Sequence, residues 1–250
     1  MNVELLNPEQ VKDLFKNWSK TSAICYDSKI NPENPDAIGK HCKASGHFSG
    51  SRGDFIKFLV TDVPRLEVDQ AVRHEIGVFK NVASFRYISK NNFAYSIPVE
   101  ITDNKALVNK YVKHMEDVMN LYNDIQIYVY DKTDSQERAN EQARHVLPMA
   151  THTSFVIGYT IEAFIHLCNL RLCVRSEDYI REMTNLMKNK VLQILPNLKD
   201  DLVPNCVRLM YCPEGASSCG AYPTKKQIKS LLEKYKNEFK KEVNNNNVRA

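Results

Sequence analysis

Gln70-Ala71-Val72-Arg73-His74-Glu75, followed by Asn81-Val82-Ala83-Ser84-Phe85-Arg86-Tyr87, is a cluster of polar side chains around a helix-to-strand transition. Gln70 and Arg73 are three residues apart and share one helix face. Ser84 and Arg86 are two apart, so in an extended segment they point the same way. Serine, arginine and glutamine facing one cleft suit a phosphate plus a nucleobase edge. The guanidinium offers a planar fork for phosphate, and the carboxamide offers a paired donor and acceptor. The same residues also suit a surface salt-bridge network, and taken alone they do not choose between the two.

Working outward, Phe55 to Val60 is apolar and rich in strand formers, and Pro64 then opens a helix over Arg65 to His74. Phe85 to Ser89 reads as a second strand or extended segment. Upstream, Asn7-Pro8-Glu9-Gln10 has the pattern of a capping box, and Val11, Leu14, Phe15 and Trp18 follow at helical spacing. Ile30 to Gly53 contains two prolines and four glycines and reads as loop. Downstream, Leu107, Tyr111, Met115, Val118 and Tyr122 mark a long amphipathic helix, and Asp134 to Val146 another that Pro148 stops. Thr153 to Leu172 is apolar on most faces and predicts a buried helix. Ser176 is placed to cap the next helix, with Glu177 and Asp178 in its first turn. Thr224-Lys225-Lys226-Gln227 is a capping box for a last amphipathic helix over 224–241, and Asn244 to Asn247 belongs to a low-complexity tail, 244–250, expected to be disordered. With no internal repeat and no linker, the expectation is one α/β (α+β) domain over 1–243, a small mixed sheet flanked by long helices.

Of the 250 residues, 43% are hydrophobic and 26% charged, an ordinary globular balance able to bury a large core without disulfides. The net charge of +4 is spread along the chain and does not single out a nucleic-acid binder. No run of apolar residues is long enough to span a membrane. Met1-Asn2-Val3-Glu4 lacks the basic and apolar pattern of a secretory leader, and the seven cysteines are odd in number. Reduced thiols in the cytoplasm are therefore expected.

The opening stretch resembles the signature of the flavin-dependent thymidylate synthases: Arg-His-Arg, seven residues, then Ser, with Arg and Tyr soon after and a Gln three before the first Arg. Gln70, Arg73, His74, Asn81, Ser84, Arg86 and Tyr87 match it. Glu75 replaces the second Arg, eight residues rather than seven separate it from Ser84, and Val82 replaces an acidic residue. Further blocks are similar to family segments in the same order: Cys25-Tyr26-Asp27-Ser28, Gly46-His47-Phe48-Ser49, Ala143-Arg144 before Val146-Leu147-Pro148, Asn169-Leu170-Arg171, and Ser176 to Arg181. The likeness runs from about residue 20 to 220.

The resemblance implies the family's fold and its reaction, the reductive methylation of dUMP to dTMP. It implies FAD as cofactor, NADPH and 5,10-methylenetetrahydrofolate as co-substrates, and a homotetramer with shared active sites. Arg171 would polarise the uracil ring, as a cation near its carbonyls stabilises developing negative charge. Gln70, Ala71, Val72, Arg73, Val82, Ala83, Ser84, Phe85, Arg86, Arg144 and Arg171 would form the dUMP site. Ser49, Arg73, His74, Glu75, Val82, Thr160, Glu162 and His166 would line the flavin. Glu75 and the extra residue before Ser84 also fit a relative that binds nucleotide without methylating.

Other motifs read more plainly. Ser84 has no Ser-His-acid order or nucleophile elbow around it and is read as a binding residue. His152 and His166 are by default core histidines. Cys206, Cys212 and Cys219 lack the short spacing of structural zinc knuckles, so no metal is expected. No Gly-x-Gly-x-x-Gly follows a strand, so no Rossmann unit is indicated. Lys225 to Lys241 reads as the solvated face of a helix rather than a nucleic-acid patch.

Overall fold

The computed structural model describes residues 1–247. In chain order the elements are β1 (Asn2–Leu5), α1 (Pro8–Lys12), α2 (Leu14–Cys25), α3 (Ala37–Ala44), β2 (Ile56–Pro64), α4 (Arg65–Ala71), β3 (Val78–Val82), α5 (Lys105–Thr133), α6 (Gln136–Ala143), β4 (His152–Tyr159), α7 (Ile161–Arg171), α8 (Asp178–Leu192), α9 (Asn205–Leu209) and α10 (Lys225–Asn247). The four strands form one sheet in the order β1-β2-β4-β3. Every neighbouring pair is antiparallel, so the sheet is not the mixed one expected. The β2–α4–β3 crossover alone would give a parallel pair, but β4 inserts between those strands and leaves each with antiparallel neighbours.

Alternation along the strands sets the core. Ile56, Phe58 and Val60 pair across β2 and β4 with Tyr159, Ile157 and Phe155, and all six are buried. Trp18 of α2, Phe164 and Leu167 of α7, and Ile180 and Met183 of α8 complete the cluster on that face. On the opposite face Gly158 lies under Phe79, where a Cβ would approach the ring to 2.0 Å. Phe79 in turn meets Phe55 edge-on at 5.3 Å.

Several local expectations change. The apolar run Thr153 to Leu172 is not one helix: it supplies β4 and then α7, separated by Thr160, whose Oγ1 caps α7 by accepting from the Ala163 N–H at 3.3 Å. The apolar end of β4 runs directly into the apolar α7, and the two together mimic one buried helix. The second strand is Val78–Val82 rather than Phe85 to Ser89, which forms a turn. The helix after Pro64 stops at Ala71, three residues short of His74. Asp134 to Val146 resolves into α6, capped by Ser135, and a 3₁₀ turn over Arg144–Val146. The loop-rich stretch contains α3. Asn7 does not cap α1; it accepts from the Lys57 N–H and donates to the Phe55 carbonyl, tying the N-terminus to β2. Ser176 donates to the Leu170 carbonyl, and Glu177 caps α8 instead. The box at Thr224 forms as expected, with Gln227 accepting from the Thr224 N–H at 2.7 Å. α10 continues past 241 through Asn247, across part of the expected tail, while 248–250 lie outside the described residues.

Candidate active site

Two depressions lie at opposite ends of β3, one past Val82 and the other before Val78. The first is a groove of about 440 Å³ whose lining includes Arg65, Val82, Ala83, Ser84, Phe85, Arg144 and His145. The Ala83 N–H donates to the Ser154 carbonyl at 2.9 Å and extends the pairing with β4 by one residue. The chain then turns at Ser84, whose carbonyl accepts from the N–H groups of Tyr87 and Ile88. Arg65 lies 5.8 Å and the Lys90 ammonium 4.7 Å from the centre of the Phe85 ring. Lys90 also donates to the His152 carbonyl, and burial lowers its pKa. A groove that Ser84 shares with Arg65 and Arg144 is an anion site by charge alone.

Asn140 of α6 holds this turn in place. Its Oδ1 accepts from Gln126, Gln136 and Ser89 at 2.6, 2.9 and 3.0 Å, and its Nδ2 donates to the Arg86 carbonyl at 3.1 Å. The Arg86 side chain leaves the groove. It pairs with Glu137 at 2.7 Å and Glu141 at 3.3 Å, both on α6.

The second depression, about 310 Å³, is lined by Arg73, His74, Glu75, Ile76, Val78, Ala163 and His166. The His74 and His166 rings meet edge-on at 6.3 Å. Arg171, at the end of α7, donates through Nε to His74 Nε2 at 3.1 Å, which places the imidazole proton on Nδ1. Burial, then the charges of Arg171, His166 and Lys80, push His74 down to about 4. The ring is therefore neutral at pH 7 and serves as an acceptor for Arg171.

The expected residues thus fall into two groups. Val82, Ala83, Ser84, Phe85 and Arg144 share the groove, while Arg73, His74, Glu75 and His166 share the second pocket. Ala71 is a correction as a side-chain contact, because it is fully buried in the core. Val72 follows it and packs against the same cluster, and Gln70 is half-buried beside them. Of the remaining flavin candidates, Ser49 is exposed on a 3₁₀ turn, Thr160 is committed to its cap, and Glu162 pairs with Arg52 at 3.1 Å. His166 is exposed, not a core histidine. Arg65, Lys90 and Asn140 were missed as site residues. Arg65 is adjacent to the Pro64 signal, but Lys90 and Asn140 are brought in only by tertiary packing.

The family profile described as thymidylate synthase complementing protein matches residues 9–197. The flavin-dependent thymidylate synthase of Nitratidesulfovibrio vulgaris is 34% identical over 201 residues, covering 80% of this chain and 82% of that protein. The enzyme of the same name from Clostridium tetani is 30% identical over 238 residues, covering 89% and 92%. A crystal structure of ThyX from Helicobacter pylori complexed with FAD and dUMP shares the fold at a TM-score of 0.59 and 14% identity, covering 81% of this chain and all of that one. Fold and site together define a nucleotide-processing α/β protein, with a cationic groove at one end of β3 and, at the other, a pocket that holds the neutral His74 imidazole. The chain belongs to the flavin-dependent thymidylate synthase family.

Proposed function

We propose that this protein methylates dUMP at C5, with FAD as its cofactor and with methylenetetrahydrofolate and NADPH as co-substrates. The observation that carries the reading is a cationic groove at Ser84, past one end of β3, together with a pocket before its other end whose His74 accepts a hydrogen bond from Arg171. Ser84, Arg144 and Arg65 would take the phosphate; guanidinium forks and a hydroxyl match its oxygens. Arg86 is turned toward Glu137 and Glu141, so its part is to brace the turn against α6 or to swing in once an anion competes for it.

The residues of the second pocket fit an isoalloxazine ring. The apolar rim of Ile76, Val78 and Ala163 and the neutral His74 imidazole match a flat, uncharged aromatic system. Arg73 is the exposed cation for the cofactor's phosphates, and Glu75 puts an acidic group beside it. When bound, the flavin would supply the reducing equivalents of the reaction. The chain's own part is electrostatic: Arg171, held through Nε by His74, keeps its terminal N–H groups for the uracil carbonyls and draws charge into the ring. A thiol route is disfavoured, because Cys168, the cysteine nearest Arg171 on the core side, is buried and its thiol is pushed up to about 12.

Arg144 lines the groove of one chain, whereas Arg171 lines neither depression. That supports a homotetramer in which neighbouring subunits complete each site. Leu107, Leu121 and Tyr128 recur on one exposed stripe of the 29-residue α5 and suit such packing. No helix among the described residues is long and apolar enough to cross a membrane. Purified protein should carry flavin absorption bands and convert dUMP to dTMP with both co-substrates. Saturation with FAD and dUMP without any dTMP would assign the chain to nucleotide binding alone.

A further inference from the structure

Glu67 of α4 is fully buried, and neither of its carboxyl oxygens meets an N–H or O–H donor. α4 packs against α8 here, and the carboxyl of Glu177, at the start of α8, faces that of Glu67. Glu177 is already engaged as the cap of α8, accepting from the Ile180 N–H at 3.2 Å through Oε2. Two carboxylates cannot face each other away from water, so a proton must lie between them, and the fully buried partner is the one to carry it. Burial, then Glu177, raise the pKa of Glu67, while Arg171 opposes them.

The placement of this contact matters. His74 lies just beyond α4, and Arg171 just before the turn that carries Glu177. The Arg171–His74 hydrogen bond and the Glu67–Glu177 contact therefore bridge the same two regions, α4 with the residues just after it and the end of α7 with the start of α8. We infer that Glu67 is a buried neutral acid whose hydrogen bond to the Glu177 carboxylate clamps α4 to the start of α8 and thereby positions Arg171 against His74. Glu67 is a positioning residue: it acts through Arg171 and touches no substrate. The shared proton also leaves one negative charge behind the guanidinium rather than two. The role in turnover rests on the reading of Arg171 given above; the shared proton does not.

Infrared difference spectroscopy of the ligand-free chain at neutral pH, wild type against Glu67→Gln, tests the proton directly. The wild type shows the carbonyl stretch of a protonated carboxylic acid that Glu67→Gln lacks, and Glu177→Gln shifts its frequency. A folded Glu67→Gln with no such difference, or a band that Glu177→Gln leaves unmoved, overturns the inference whether or not the chain makes dTMP. Kinetics test the clamp. Glu67→Gln retains an N–H donor for Glu177 and keeps kcat within about threefold of wild type, whereas Glu67→Ala loses the bond and lowers kcat at least tenfold. Glu67→Gln also removes the fall in melting temperature that the wild type shows as pH rises from about 4.5 to about 8, the window over which Glu67, facing Glu177 and Arg171, holds its proton in the folded chain alone. Equal kcat and equal pH profiles in wild type, Glu67→Gln and Glu67→Ala would refute the positioning role.

Discussion

Replacing Asn140 with alanine probes how the turn at Ser84 is held. The side chain takes part in four hydrogen bonds, and they are not equal. Ser89 and Gln136 are exposed, so water replaces their bonds at little cost. Gln126 is only 7% exposed, but its Nε2 keeps the 3.2 Å bond to Ser89, so the group left unsatisfied is the Arg86 carbonyl, which faces α6. Each orphaned group costs about 1–3 kcal/mol, and the better helix propensity of alanine returns about 0.5 kcal/mol. The expected net loss is about 1.5 kcal/mol, or roughly 3–6 °C in melting temperature for a domain of this size. Loss of the Arg86 tether also frees the backbone beside Ser84, so dUMP protects the variant less than it protects wild type. Thermal melts of wild type, Asn140→Ala and the exposed control Gln142→Ala, each with and without dUMP, measure both effects. A drop below about 2 °C for Asn140→Ala, with unchanged dUMP protection, would refute the hub role.

Gly39→Ala and Gly158→Ala differ in what blocks the new methyl. At Gly39 it lies 2.4 Å from the Phe15 backbone carbonyl, whereas at Gly158 it meets a half-buried Phe79 ring that can swing aside. Chemical denaturation should show about 2–3 kcal/mol lost for Gly39→Ala and about 1 kcal/mol for Gly158→Ala. His74 carries a pKa lowered from the usual 6.5 to about 4, so its contribution to stability is complete above pH 6.5 and is lost as pH falls toward 4. Melting temperatures across that window should fall less steeply in His74→Gln than in wild type. Cys168→Ala should retain turnover, and intact protein should resist thiol alkylation at Cys168 at neutral pH; loss of methylation in a folded variant would reinstate a covalent route.

The strongest sequence signals were local. The spacing of Leu107, Tyr111, Met115 and Tyr122 marks α5 because a helix half-exposed along its length must show its period. Thr224 and Gln227 form their cap because both partners lie within one turn. β4 was misread because its apolar end, Phe155 to Tyr159, runs into the apolar α7 with only Thr160 between them, so strand and helix read as one hydrophobic stretch. The β-branched run Thr151, Thr153, Val156 and Ile157, closed by Gly158 and the capping Thr160, was the signal that could have separated strand from helix. In the candidate site, the segment Val82 to Phe85 and the pair His74 and Glu75 were visible as motif. Arg86 was also visible, but its carboxylate partners on α6 were not, nor were the contacts of Glu67 with Glu177 or of Asn140 with the Arg86 carbonyl. Those contacts join elements far apart in the chain, and only the packing of α4 on α8 and of α6 beside the turn creates them.

Release of tritium from [5-³H]dUMP by the FAD-loaded protein, with NADPH and methylenetetrahydrofolate present, tests the central claim most directly. Wild type should release tritium in step with dTMP formed, and Arg171→Ala should lose about 10²–10³-fold in rate while still binding dUMP. No release from flavin-loaded wild type, or full release from Arg171→Ala, would contradict the account.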